Sequence, residues 1–262
     1  MENSYIHPNA KIGKNVKIGP FCYICENVEI GDNTIIEPGA IIYDYVKLGS
    51  DCHVFPGAVL GAIPQDLKFD GEVTCVEIGD RTTIRECATI NRGTKARGVT
   101  KIGNDVLVMS YVHVAHDCHI GNRCILTSYV GIAGETDVDD WAIIGGGTVV
   151  HQFSKIGTHA MVGGSCGVNK DVPPYVLAAN TPFAFEGINL VGLRRRGFTL
   201  EQIEEIKNVY RIIYENGMNV ADACNEADKQ YPDSEFCKVI TGFIRNSKRG
   251  IVRSGLLSAS DV

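Results

Sequence analysis

KIGNDVLVMSYVHVAHDCHIGNRCILTSYVGI, residues 101–132, sets an aliphatic side chain at every sixth position: Ile102, Val108, Val114, Ile120, Leu126 and Ile132. The same register runs upstream through Ile6, Ile12, Ile18, Ile24, Ile30, Ile36, Ile42, Leu48, Val54 and Leu60, and returns at Ile78, Ile84 and Ile90. Downstream it continues through Val138, Ile144, Val150, Ile156, Val162 and Val168. Glycine often follows the aliphatic, as at Gly13, Gly19, Gly31, Gly79, Gly103 and Gly121. Four residues after each aliphatic stands a small side chain, such as Ala10, Val16, Cys22, Val28, Thr34 or Ala40. A period of six fits neither an amphipathic helix nor an alternating strand. It fits a hexapeptide β-helix, in which each hexad makes one short strand and one corner, and three hexads close a coil of about 18 residues.

In that coil the aliphatic fills the interior and the small residue fits where space is tight. Cys22, Cys52, Cys118, Cys124 and Cys166 all take the small inward position, where a thiol behaves as a compact hydrophobe. These cysteines therefore read as packing rather than as a disulfide or metal set. With ten scattered cysteines in 262 residues, a disulfide-stapled mini-domain is excluded, and free thiols point to the cytoplasm. The N-terminus, MENSYIHPNAK, lacks the basic and apolar regions of a secretory signal. No stretch approaches the roughly 18 apolar residues of a membrane span. A net charge of −6 argues against nucleic acid as a partner. Hydrophobic residues at 44% allow a substantial core.

Two breaks interrupt the register, at about 63–75 and 93–101. A stacked coil cannot absorb insertions, so both should leave it as loops, where binding residues are favoured. The repeat is expected to end near Asp171-Val172-Pro173-Pro174, since proline stops strand pairing. These features predict a β-helix over 1–188 and a helical region over 189–262. Thr199-Leu-Glu-Gln202 reads as a capping box before Ile203, Ile206, Tyr210 and Ile213, with Gly217 ending the helix. Asn219 and Ser234 read as caps of two further helices, giving about three, and residues 251–262 read as a loose tail.

Several clusters could carry chemistry. His113-Val-Ala-His116-Asp117, with His119 following, admits three readings: surface histidines, a general base oriented by Asp117, or a metal site completed by a third histidine from a neighbour. Gln65-Asp66-Leu67-Lys68 sits in the first break and suits either a substrate hydroxyl or phosphate, or plain solvent. His151-Gln152-Phe153 follows Gly145-Gly146-Gly147, whose amides could face an oxyanion or merely satisfy a corner. Arg194-Arg195-Arg196, near Asn189, could grip a diphosphate. Lys238, Arg245, Lys248, Arg249 and Arg253 could dock an acidic partner or simply face water.

Six linked stretches are more selective than the hexads: IPQDLKFDGE, VEIGDRTTIRE, HVAHDCHIGNRCIL, AIIGGGTVVHQF, DVPPYV and GLRRRGF. With them the chain resembles the UDP-N-acetylglucosamine acyltransferases of lipid A biosynthesis over nearly its whole length. The resemblance implies a mostly β chain, a left-handed parallel β-helix with a small C-terminal helical domain, assembled as a homotrimer with sites between subunits. It implies transfer of an R-3-hydroxyacyl chain from acyl carrier protein to the 3-hydroxyl of UDP-N-acetylglucosamine, with no cofactor and no metal. Residue by residue, it implies His116 as catalytic base with Asp117 as helper, and His113 as a positioning residue. Asp66 and Lys68 match sugar and phosphate contacts, and Gly134 the oxyanion element. His151 and Gln152 match groups along the acyl and pantetheine arm. Gly164 matches the position that sets acyl length, where a small residue leaves a longer channel. Asn189, Arg195 and Arg196 match the nucleotide end. Three positions depart from the pattern: Glu135 stands where a sugar-facing histidine is usual, Val191 where a ribose-contacting glutamate is usual, and Pro182 in place of another histidine. The first bears on whether the acceptor atom is oxygen or an amine. Two other readings of the same prism are a metal-dependent hydratase and a non-catalytic scaffold. An N-acyltransferase of the same pathway would carry an extra domain before its hexads, whereas the repeat here begins at Ile6.

Overall fold

A computed structural model describes residues 3–254. Most hexads form a two-residue strand that ends on the aliphatic, as in His113–Val114, His119–Ile120 and Ile125–Leu126. Consecutive strands join different sheets, so three hexads complete one turn of a left-handed parallel β-helix. Among the described residues the three sheets hold nine, eight and ten strands. Ile24, Ile42, Leu60, Ile90, Val114, Ile132 and Val150 stack in register down one sheet, each at most 2% exposed. The five inward cysteines are likewise buried, and burial pushes the Cys118 and Cys124 thiols up to about 12. That is the behaviour of packing groups rather than reactive thiols.

The ordinary step between stacked residues is 18, but it lengthens to 30 across the first break and to 24 across the second. The extra residues leave the coil between the strands Val59–Ala62 and Cys75–Ile78, and between Thr89–Asn91 and Val99–Ile102. Val99 and Thr100 pair with Cys75 and Val76, so the second loop closes at 98 rather than 101.

Corners are the conformationally demanding positions. Asn15, Asn33, Asp51, Asp105, Asp117 and Glu135 all adopt positive φ between 55° and 60°. Asn and Asp tolerate that region better than most side chains. Further along the edge that carries Asn15, Asn33, Asp51 and Asp105, Trp141, His159 and Tyr175 also take positive φ, and their rings stack at 5.8 and 5.7 Å.

The coil does not stop at Asp171-Pro174. The strand Val176–Ala179 pairs with Met161–Val162 beyond both prolines, and Ala184–Ile188 adds to it antiparallel. Pairing resumes because both prolines lie at a corner, outside the ladder. Among the described residues four helices follow rather than three: α1 Leu190–Arg195, α2 Leu200–Glu215, α3 Val220–Gln230 and α4 Glu235–Arg245. The expected caps are present: the Thr199–Gln202 capping box on α2, Asn219 on α3 and Ser234 on α4. Helix α1 escapes periodicity because its six residues bury only Leu193. The tail is not loose over its first residues. Val252 is 1% exposed, and its N–H and the Gly250 carbonyl bond the backbone of Asp171 at 2.9 and 3.0 Å. This segment covers the open end of the coil, as its apolar Ile251 and Val252 require. Residues 255–262 of that expectation lie outside the described residues.

Candidate active site

The site begins at the corner between the strands His113–Val114 and His119–Ile120. His116 and Asp117 occupy that corner, 8% and 0% exposed. The His116 Nδ1 lies 2.9 Å from Asp117 Oδ2. A carboxylate only accepts, so this nitrogen carries a proton, and in the neutral ring Nε2 is the nitrogen with the lone pair. Nε2 faces the first loop, 3.8 Å from Asp66 Oδ2. One coil further on, Gly134 lies directly against the ring: a Cβ there would stand 2.5 Å from His116 Nε2. The Glu135 N–H donates to the His116 carbonyl at 3.0 Å.

His113 projects from the adjoining strand, its Nδ1 2.7 Å from the Thr89 hydroxyl. Burial holds its basicity below the ordinary histidine value, and nearby His116 adds to the effect. His119 is also held low, by burial first and then by Arg97. The Nδ1 atoms of His113 and His116 thus already have hydrogen-bond partners, and His119 leans toward Asp137 at 3.8 Å. Among the described residues no group of three or more His, Cys, Asp or Glu side chains is placed to hold a metal ion.

The structure therefore brings His116, Asp117, His113, Asp66, Gly134 and Glu135 together. Lys68 is exposed in the same loop, its amide bonded to Asp66 Oδ1 at 2.9 Å. His151 and Gln152 lie one coil beyond Gly134, and the His151 Nδ1–H donates to the Gln152 carbonyl at 2.9 Å. Gly164 is exposed; a Cβ there would lie 3.1 Å from the Gly146 carbonyl.

Asn189 and Arg196 point elsewhere. Asn189 caps α1 through Gly192 N and donates to the His159 carbonyl at 2.9 Å. Arg196 donates to the Trp141 carbonyl at 2.8 Å, meets His159 Nδ1 at 3.3 Å and lies over the indole ring. Arg195 is exposed on α1. In the second basic set, Lys238 pairs with Glu235, Arg245 with Asp228, and Arg249 donates to the Asn169 and Gln152 carbonyls.

Sequence reasoning missed the groups behind Asp117. The Thr94 amide and hydroxyl, the Arg97 amide and the Thr100 hydroxyl all bond this residue. The only signal for Thr94 and Arg97 was the break in register that holds them.

Comparison with known proteins identifies the family and the fold. The family described as UDP N-acetylglucosamine O-acyltransferase, domain 2, matches residues 171–252, and the bacterial transferase hexapeptide family matches 9–44, 27–62 and 100–134. The acyl-(acyl carrier protein):UDP-N-acetylglucosamine O-acyltransferase of Janthinobacterium sp. (strain Marseille) is 43% identical, over 95% of this chain and 97% of its own. A UDP-N-acetylglucosamine acyltransferase structure from Bacteroides fragilis superposes with a TM-score of 0.95 at 52% identity, over 97% of this chain and 99% of that one. The Francisella novicida enzyme gives a TM-score of 0.95 at 38% identity, over 98% and 94%.

Proposed function

This chain belongs to the UDP-N-acetylglucosamine O-acyltransferase family, and from that premise we propose that it moves an R-3-hydroxyacyl chain from acyl carrier protein to the 3-hydroxyl of UDP-N-acetylglucosamine, with His116 as general base. This is the entry step of lipid A biosynthesis. One observation carries the reading: the His116 ring is fixed through Nδ1 by a buried carboxylate, while Nε2 faces the polar first loop.

The donor is a thioester, already activated toward a nucleophile, so the protein supplies position and proton transfer. Nε2 takes the proton from the sugar 3-hydroxyl as its oxygen attacks the thioester carbonyl. The carbonyl π-electrons move to oxygen, giving a tetrahedral oxyanion that the Gly134 N–H stabilises. Collapse re-forms the carbonyl and breaks the C–S bond, and the imidazolium returns its proton to the departing pantetheine sulfur. Proton transfer by such a base contributes about 10²–10⁴-fold, and an oxyanion donor about 10²–10³-fold. Asp117 holds the ring in the competent tautomer.

Asp66 and Lys68 read as sugar and phosphate contacts, with Glu135 taking the place of a sugar-facing histidine. His113 positions the acceptor. His151 and Gln152 line the pantetheine arm, and Gly164 leaves room for a long acyl chain. Asn189, Arg195 and Arg196 read as the nucleotide end. The enzyme acts as a homotrimer in the cytoplasm, where its acyl carrier protein donor is found. The test is acyl transfer by His116→Ala with 3-hydroxyacyl carrier protein and UDP-N-acetylglucosamine. Loss of about 10²-fold or more in kcat is expected; near-normal turnover removes His116 from the mechanism.

A further inference from the structure

Residues 92–98, the second insertion, form a strap behind the His116–Asp117 pair. Asp117 is fully buried, and Thr94 beside it is 6% exposed. The Thr94 N–H reaches Asp117 Oδ1 and Oδ2 at 3.1 and 3.0 Å, and its hydroxyl reaches Oδ2 at 2.7 Å. The Arg97 N–H reaches Oδ1 at 3.1 Å. The hydroxyl direction follows from its partners. The Ala96 N–H donates to Thr94 Oγ1 at 3.1 Å, so the single hydroxyl hydrogen is left for the carboxylate.

The strap is itself tied down on both sides. The Arg97 guanidinium bonds the Asp137 carboxylate and the Glu135 carbonyl. The Thr74 hydroxyl donates to the Gly93 carbonyl at 2.6 Å, and the Lys95 N–H donates to Glu72 at 2.9 Å. Glu72 and Thr74 end the first loop, which carries Asp66 in front of His116. The two insertions are therefore one unit: one presents a carboxylate to the ring, and the other grips the carboxylate that orients it.

We propose that Thr94 is a positioning residue for acyl transfer: its amide and hydroxyl fix Asp117, and Asp117 in turn holds His116 with the proton on Nδ1. The inference rests on the reading of His116 as the base. Substrate need not touch Thr94, so its effect falls on turnover rather than on binding.

The test compares Thr94→Val, Thr94→Ser and His116→Ala in full-length protein. Valine keeps the shape and the amide but removes the hydroxyl donor to a charged acceptor. Thr94→Val is expected to lower kcat about 10- to 100-fold while KM for UDP-N-acetylglucosamine moves by less than roughly twofold. Thr94→Ser, which returns the hydroxyl, is expected to recover most of the loss. A Thr94→Val enzyme with parental kcat overturns the inference, as does a serine variant no better than valine. An inactive His116→Ala beside a fully active Thr94→Val would sink the role of Thr94 alone, whereas an active His116→Ala would sink the base reading itself. Nitrogen NMR of His116 in the unsubstituted protein gives a check that needs no variant to fold. The Nδ1–H tautomer is expected, and a dominant Nε2–H form contradicts the strap's role.

Discussion

A methyl group on Gly134 would stand 2.5 Å from both Cε1 and Nε2 of His116. The ring would have to turn away from Asp117 to admit it. Gly134 does not adopt positive φ, so alanine is not strained by its backbone there. Gly134→Ala should therefore spare folding and damage chemistry, since misplacing a reacting group by about 1 Å can cost 10²-fold. Single-turnover acyl transfer beside a thermal melt checks this; a variant within a few-fold of parental turnover refutes the ring's placement. At Gly164, exposed beside the Gly146 carbonyl, methionine should shift the products toward shorter acyl chains, read by mass spectrometry of a mixed-donor reaction. An unchanged product distribution removes Gly164 from the acyl path. At this scale the His116–Asp117 adjacency was legible because the two residues are neighbours in sequence. Thr94 was not, because it precedes its partner by 23 residues across a stretch with no register to align them.

The elements that were easiest to read are those with strong local chemistry. Hexads repeat their interior aliphatic, and Thr199, Asn219 and Ser234 announce three helices by satisfying first-turn amides. Thr199→Ala should cost about 1 kcal/mol, a fall of roughly 2–4 °C in Tm for a chain of this size, and an unchanged Tm would show that the capping box contributes nothing. Less legible was how helix α1 attaches. It docks through Arg196 on the Trp141–His159 stack, and burial, followed by Arg196, depresses His159 to about 4. An unfolded histidine titrates near 6.5, so between about 4 and 6.5 the unfolded chain binds the extra proton. Stability from this neutral ring is complete above pH about 6.5 and is lost as pH falls toward 4. His159→Gln should flatten the decline of Tm between pH 7 and 4.5, and superimposable profiles for the two proteins would rule the ring out as the titrating group.

The whole molecule explains why these parts need one another. A prism of three flat sheets positions side chains to high precision along its length, but each coil offers only its edges to a substrate. The two insertions supply the depth that the coil lacks, one in front of His116 and one behind it. Period six predicted the prism because every coil repeats the same packing problem; it could not predict the strap, which solves a problem found at one coil only. A similar separation holds at the proposed nucleotide end. Asn189 and Arg196 make their contacts with Trp141 and His159, not with the His116 corner, and Arg195 projects from α1 into solvent. In the proposed homotrimer the site would be completed between neighbouring copies, with the proposed base from one and the proposed nucleotide grip from the next. That arrangement makes a prediction no single chain can satisfy. His116→Ala and Arg195→Ala proteins, each inactive or strongly impaired alone, should regain activity when unfolded together and refolded as mixed assemblies. Random mixing of equal amounts leaves about one site in four with both groups intact, given a closed ring of head-to-tail interfaces. If every site lies within one chain, the mixture stays as inactive as its parents, and recovery near a quarter of the parental rate separates the two architectures.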